Sequence, residues 1–371
     1  MKLHRFGSAF ALAAAASLTL SACGDDTPTA TGSGSDEAAG SGGGGELSGQ
    51  LDGAGASSQN SAMTAWIAGY QEVQPDVTVT YDAIGSGGGR ENILSGAVDF
   101  AGSDAYLDAD EAEMVKETCG DGGAFNLPVY ISPVAVPYNL PSVDTLNLKP
   151  DVLAQIMDRQ ITNWSDDAIA ADNPDADLPD TEITVVNRSD ESGTTENFME
   201  YLSEAAPDSW SYEAADAWPV QGGEAAAQTT GVIEVIGSTE GAIGYADASA
   251  VGDLGTAAIG VGEEFVEYSA EAAAAVVDKS DQADTGIEGD LALDLARDTT
   301  ESGVYPIVLV SYHIVCSQYD DAETANKVKD FVTYVASEEG QQAAAAAAGS
   351  APISQDLRTQ IEESLGMVQG G

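Results

Sequence analysis

The 371-residue sequence has little positive charge: 12 Lys and Arg stand against 62 Asp and Glu, a formal charge of −50. Such a surface repels nucleic acid and anionic membranes, so neither is an expected electrostatic partner. Aromatic residues make up only 6%, fewer than the platforms of a glycan-binding surface would need. Histidine occurs twice, at His4 and His313. His313 falls inside the apolar run Val304–Val315, a poor place for the base of a Ser-His-Asp triad. No cluster of His, Cys and carboxylates has metal-ligand spacing. A phosphoester hydrolase therefore ranks low, the chain reads as a non-enzyme, and no metal or cofactor is expected. What is present is ample apolar material, 43% of residues, enough for one large or two medium domains. With 41 Gly and few aromatics, the cores must lean on Ala, Val, Ile and Leu with many tight turns, which suits α/β architecture.

Residues 1–22 read as an export signal: Lys2 and Arg5 give a basic start, an apolar stretch runs from Phe10 to Leu20, and small residues precede Cys23. Leu20-Ser21-Ala22-Cys23 resembles a bacterial lipobox, which implies cleavage before Cys23 and lipidation of its sulfur. A plain secretory signal with a coincidental cysteine is the blander alternative. Removing the signal leaves 10 basic against 62 acidic residues, a formal charge of −52. Residues 23–45 then form the anchor and a Gly, Ser and acidic tether without apolar periodicity, unable to offset its ordering entropy. Cys119 and Cys316 remain, in a compartment where disulfides persist. A bridge between them and two reduced, buried thiols are both open, because spacing does not report Cα separation.

The folded part begins with a short strand over Glu46–Gly53. A helix follows in which Met63, Trp66, Ile67 and Tyr70 share one face and Ser57 or Ser58 can cap the first turn. Val77, Val79 and Tyr81 alternate as a strand that feeds Gly85-Ser86-Gly87-Gly88-Gly89 and a helix from about Arg90 to Ser95. Val98–Ala101 is a second short strand, ending in Gly102-Ser103-Asp104. Phe125–Val136 reads as strands interrupted by Pro128 and Pro133, a crossing between lobes. Further elements are expected at Val152–Arg159 (helix), Ile183–Val186 (strand), a helix carrying Phe198 and Leu202, Ala225–Ile236 (helix) and Ala242–Tyr245 (strand). Val304–Val315 is a long strand returning the chain to the first lobe. A last helix runs from Ala322 to about Ala348.

Three strand ends open into helices through small polar residues: Ser57-Ser58, Ser86 in its glycine loop, and Ser192-Gly193-Thr194. Ligands of open α/β sheets sit at carboxyl ends of strands, and helix N-termini offer unpaired N–H groups carrying partial positive charge. Converging, the three would hold an anion; singly, each is an ordinary Gly-Ser turn. Arg188, one of six arginines in the chain, lies just past a strand end and can grip an oxyanion through two parallel N–H bonds. Its plainer role is a surface ion pair.

Gly53-Ala54-Gly55-Ala56-Ser57, Gly85-Ser86-Gly87-Gly88, Val98 through Asp104, Arg188 through Thr194, and Gly241 through Tyr245 resemble, in order, the signature of the phosphate-binding lipoproteins of phosphate ABC importers. The resemblance spans nearly all of Glu46–Gly371. It implies an α/β, two-lobed periplasmic-binding-protein fold of type II, each lobe a mixed sheet flanked by helices, with the ligand in the cleft between lobes. Lobe I would comprise residues 46–130 plus 304–371, and lobe II residues 131–303. Implied ligand groups are the hydroxyls of Ser57, Ser86, Ser192 and Thr194, the backbone N–H groups at Ser58, Ser86, Gly193 and Thr194, the cation of Arg188, and Asp104 as acceptor. The family usually places an aromatic after the first hydroxyl residue, where this chain has Ser58. The implied partners are inorganic phosphate, the permease and ATPase subunits of the importer, and the membrane through a lipid anchor. The implied setting is the extracytoplasmic face of the cell membrane, as a monomer. Sulfate or molybdate is the alternative ligand, and Asp104 argues against it: phosphate keeps a proton to donate near neutral pH and sulfate does not.

Overall fold

The computed structural model describes residues 47–371. The signal, Cys23 and the tether read from the sequence lie outside them. The chain enters through β1 (Gly49–Gly55), α1 (Asn60–Val73), β2 (Val77–Asp82), α2 (Ser86–Leu94) and β3 (Phe100–Ser103). Two short helices, α3 (Ala109–Met114) and α4 (Lys116–Cys119), precede the long β4 (Ala124–Ala135). Next come β5 (Pro137–Tyr138), β6 (Leu146–Leu148), α5 (Pro150–Met157), α6 (Asp167–Asp172), β7 (Thr184–Arg188) and α7 (Gly193–Ala205). β8 (Glu224–Ala226), α8 (Gln228–Ser238), β9 (Ala242–Gly244), β10 (Ala246–Asp247), β11 (Gly255–Val261) and β12 (Glu264–Val266) follow. After α9 (Ala270–Val277) and a small hairpin of β13 (Asp281–Gln282) and β14 (Leu293–Asp294), the chain returns through β15 (Val308–Cys316). It closes with α10 (Ala322–Ala336), α11 (Glu338–Ala348) and α12 (Gln355–Met367).

These strands make two main sheets, ordered β10-β4-β15-β3-β1-β2 and β12-β11-β5-β9-β7-β8, with β6 beside β11. Each sheet is mixed: β1 runs parallel to β2 and β3 while β15 opposes β3 and β4, and β7 is parallel to β8 and β9 while β5 opposes β9. Each sheet with its helices is one lobe of a two-lobed α/β fold. The return strand β15 is buried along its whole length, as an apolar run flanked by strands on both edges should be.

β4 corrects one expectation. Pro128 and Pro133 do not interrupt it, and the strand stays in the first sheet to Ala135, so the crossing comes after it. A register shift between Ser311 and Tyr312, opposite Tyr130 and Pro128, loosens the ladder where a missing N–H would otherwise be felt.

Met63, Trp66 and Tyr70 of α1 are fully buried, as the helical spacing requires. Burying such side chains stabilises by roughly 2–3 kcal/mol each, and Trp66 keeps its indole N–H satisfied by donating to Gly340 O at 2.8 Å. Neither Ser57 nor Ser58 caps α1, which starts at Asn60 behind Gln59 without a side-chain cap. Their hydroxyls are engaged in the cleft instead, that of Ser57 with Thr229 of the other lobe and that of Ser58 with Asp104 of its own. The expected single C-terminal helix is two: Ser337 ends α10 and its hydroxyl caps α11 through Gly340 N–H. α2 begins at Ser86, four residues before the expected start, and the segment at Ala225 is first a strand, β8, before α8 begins at Gln228. The sulfurs of Cys119 and Cys316 are bonded, tying the end of α4 to the end of β15.

Candidate functional site

The carboxyl ends of β1, β3 and β7 meet where the two lobes face each other. α2 starts there behind Gly85, whose φ of 103° and close neighbours, Asp190 Oδ2 at 2.7 Å and Glu191 O at 3.0 Å from where a Cβ would stand, leave room for glycine alone. The other lobe reaches back: Gly87 N–H donates to Glu191 O at 3.3 Å. Gly193, the first residue of α7, lies against Asp104, since an added Cβ would stand 2.9 Å from that residue's own Cβ. Two helix N-termini of opposite lobes are thus brought face to face, with Ser192 capping α7 through Thr195 N–H.

Asp104 sits between them, 3% exposed. Its Oδ1 accepts the hydroxyls of Ser58 at 2.6 Å and Ser311 at 2.7 Å, and its Oδ2 accepts Thr194 Oγ1 at 2.7 Å. Two of these donors come from the first lobe and one from the second. Its backbone is held as well: Asp104 N–H donates to Ser86 Oγ at 3.1 Å, and its carbonyl accepts Asn197 Nδ2 at 2.7 Å. Ser57 Oγ lies 3.0 Å from Thr229 Oγ1 and accepts Thr229 N–H at 3.1 Å, so the start of α8 joins the cleft.

Arg188 ends β7 with its side chain 3% exposed. Its Nε and Nη2 donate to the two oxygens of Asp190, which also accepts Gln228 N–H at 3.0 Å. One edge of the guanidinium is therefore occupied by Asp190, and an anion would be gripped through the edge that carries Nη1. Burial alone would raise the Asp190 carboxyl, but the Arg188 hydrogen bonds and charge hold it below the usual carboxylate range. Asp190 therefore stays ionised near neutral pH, and its two bonds fix the guanidinium plane.

All eight residues read as ligand groups, Ser57, Ser58, Ser86, Asp104, Arg188, Ser192, Gly193 and Thr194, lie along this one seam and are buried. Sequence reasoning missed Ser311, Thr229, Asp190, Asn197 and Gln59. Ser311 carried a faint signal: Ser311 and His313 are the two polar residues two apart in the otherwise apolar strand VLVSYHIVC, and alternate positions share a face. Thr229 carried none, because the helix it opens was read as starting earlier.

Beside Asp104 a cavity of about 580 Å³ opens toward solvent. Glu196, Glu200, Glu204 and Glu213 line it, a field that would repel an anion. Arg90 lies at the seam: it donates to Glu111 at 2.9 Å within its lobe and to Asp216 at 2.8 Å in the other.

Residues 30–339 match the model of the PBP superfamily domain. The phosphate-binding protein PstS 3 of Mycobacterium tuberculosis is 35% identical over 341 residues, covering 90% of each chain. The phosphate-binding protein PstS of Xylella fastidiosa is 32% identical, covering 76% of each. Among solved structures, a high affinity periplasmic phosphate-binding protein, PfluDING, bound with phosphate, superposes with a TM-score of 0.70 at 21% identity over 85% of this chain and 93% of its own. A phosphate-binding protein from Stenotrophomonas maltophilia does so at 0.64 and 19%, covering 85% and 93%. At those identities the superpositions bear on the fold, whereas the sequence relatives bear on descent. The chain belongs to the PBP superfamily and, within it, to the family of the PstS proteins.

Proposed function

We propose that this chain binds inorganic phosphate in the cleft between its lobes, outside the cell, and delivers it to the permease and ATPase subunits of an ABC importer while anchored to the membrane through Cys23. One observation carries the reading: a buried carboxylate, Asp104, faced by helix N-termini from both lobes with a buried, oriented guanidinium on the same seam. Peptide N–H groups and Arg188 supply positive potential for a small oxyanion in a chain whose global charge opposes it; at a screening length of about 8 Å, the nearby dipoles dominate over distant carboxylates. Asp104 supplies the discrimination. A monohydrogen or dihydrogen phosphate can donate its proton to the carboxylate, whereas sulfate would set two acceptors against each other.

Ser57, Ser58, Ser86, Ser192, Gly193 and Thr194 would complete the shell through hydroxyl and backbone donors. Several of their hydroxyls are engaged with Asp104 or Thr229 in this arrangement, so binding would exchange some of these bonds for bonds to the anion. Because both lobes contribute, ligand affinity favours the closed form and shifts the population toward it. A hydrolytic role finds no support in His313: it is buried, and burial pushes its pKa down to about 3.

Isothermal titration of the full chain with phosphate, sulfate, molybdate and arsenate tests the reading. Heat of binding for phosphate with none for sulfate is the expected result. Tight sulfate or molybdate binding would replace the ligand, and turnover of a chromogenic phosphoester would replace the class.

A further inference from the structure

A line of polar atoms leads from Asp104 away from the cleft into the core of the first lobe. Ser311 Oγ donates to Asp104 Oδ1 at 2.7 Å, Gln59 Nε2 donates to Ser311 Oγ at 2.8 Å, and Gln59 Oε1 lies 3.1 Å from His313 Nε2. Gln59, Ser311 and His313 are fully buried. None of them is among the residues proposed to touch the anion.

Each link has one way to carry its hydrogen. Two oxygens 2.7 Å apart need a hydrogen between them, and a carboxylate has none to offer. Ser311 must therefore point its single hydroxyl hydrogen at Asp104 and accept from Gln59. That turns the amide nitrogen of Gln59 to Ser311 and its oxygen to His313, so His313 must carry its hydrogen on Nε2 and leave Nδ1 bare. Nδ1 is the ring nitrogen without a hydrogen-bond partner among the described residues. The imidazole lies between Trp66, Phe100 and Phe331, with ring centroids 5.6, 5.2 and 6.0 Å away. Flipping Gln59 would move the hydrogen to Nδ1, a buried donor among aromatic rings, and would set the one hydrogen of Ser311 between two acceptors, Asp104 and the Gln59 oxygen, leaving one of the two oxygen pairs bare. Both changes are costly in a dry interior. The neutral state of His313, whose pKa burial lowers to about 3, keeps it a single-hydrogen donor near neutral pH.

We propose that Gln59 and His313 are a positioning pair for oxyanion selectivity: they aim the Ser311 hydroxyl at Asp104 and thereby keep that carboxylate an acceptor only. Ser58 and Ser311 on Oδ1 and Thr194 on Oδ2 take three of its roughly four lone-pair directions. At least one direction on Oδ2 is left to receive the hydrogen of a protonated oxyanion, and a second is freed if Thr194 turns its hydroxyl to the anion. Preference for phosphate over sulfate is then set partly by residues in the core, and this rests on the reading of Asp104 as the anion's acceptor.

The test is calorimetric titration of inorganic phosphate and of sulfate, near pH 7, on the full chain and on Ser311→Ala, Gln59→Glu and Asp104→Asn, each first shown to melt cooperatively. Gln59→Glu is nearly isosteric but accepts from both neighbours, so it draws the Ser311 hydrogen away from Asp104. Ser311→Ala and Gln59→Glu are each expected to lower the phosphate-to-sulfate affinity ratio about tenfold or more, the scale of one hydrogen bond to a charged group. An unchanged ratio in Ser311→Ala, with Asp104→Asn collapsing it, overturns the positioning role and leaves the Asp104 reading standing. An unchanged ratio in Asp104→Asn overturns both. Should Gln59→Glu fail to fold, Ser311→Ala decides alone, and equal weakening toward both anions counts against the proposal.

Discussion

Arg90 of the first lobe and Asp216 of the second are joined by an ion pair, Nη2 to Oδ2 at 2.8 Å, with the Arg90 side chain 9% exposed. Arg90 is anchored within its own lobe by Glu111, so the bond to Asp216 acts as a clasp across the seam. Replacing Asp216 leaves Nη2 without its charged partner in the closed form, while an open form lets water reach it, which favours opening. Asp216→Asn should therefore speed phosphate release about tenfold while changing the association rate little, since effects within one interface fall mostly on dissociation. Stopped-flow displacement measures this, and an unaltered off-rate would mean that the clasp does not contribute to closure.

Arg188 and Asp190 make the next prediction because they form one unit. Arg188→Ala should weaken phosphate binding by about 2–5 kcal/mol, the range for truncating a buried hydrogen-bonded charge. Asp190→Ala keeps the cation but frees its plane. It should cost less, about 1–2 kcal/mol, through lost orientation of one charge-assisted contact. Titration of both variants orders them, and equal losses would mean that Asp190 does more than orient.

The contrast between Asp104 and Ser311 shows how far the sequence could be read. Asp104 follows a strand, sits in a Gly-Ser-Asp turn and belongs to a block with recognisable order, so its place at the cleft was legible. Ser311 lies more than 200 residues away in sequence, |i−j| = 207, yet donates to the same carboxylate; the register of β15 against β3, with Tyr312 opposite Ser103, brings it there. Strand register is a tertiary property, and no local pattern encodes it. Most strands and helices followed from alternation and periodicity and their sorting into two sheets only from the family resemblance, while Ser57 and Ser58 misled because a helix-capping serine and a cleft serine look alike before the partner is known. Pro128 misled for a related reason: a bulge can absorb the missing donor that its sequence neighbourhood cannot reveal.

The disulfide between Cys119 and Cys316 closes a loop of 197 residues. It constrains the unfolded chain, and removing a bridge from an exported domain typically costs 2–5 kcal/mol. Replacing both cysteines by serine should lower the midpoint of thermal unfolding, and reductant should have the same effect on the wild-type chain and none on the double variant. The bridge lies at the far end of β15 from Val308, so phosphate affinity at 25 °C should stay within about threefold, inside the spread expected for distant independent sites. Equal melting of oxidised and reduced wild type would show that the bridge adds nothing to stability.

Glu196 supplies the pH dependence. Burial raises its carboxyl most, and the charge of Glu200 one turn on, with Asp216 in the same lobe and Glu111 across the seam, raises it further against the opposing pull of Arg90, to about 7. A carboxyl whose folded value exceeds its unfolded one binds a proton more tightly in the folded chain. Its contribution is therefore present in full below the unfolded value of 4.5 and is lost as pH rises through about 7. Glu196→Gln mimics the protonated form at every pH. Its stability should match wild type near pH 4.5, rise above it through neutrality, and level off at a gap of about 1–2 kcal/mol by roughly pH 8, after allowance for the group's partial exposure. Thermal melts of the two proteins across that range decide the matter: a gap that is constant with pH would mean that Glu196 titrates as an ordinary solvated carboxylate and that the acidic wall beside the cleft carries no protonation switch.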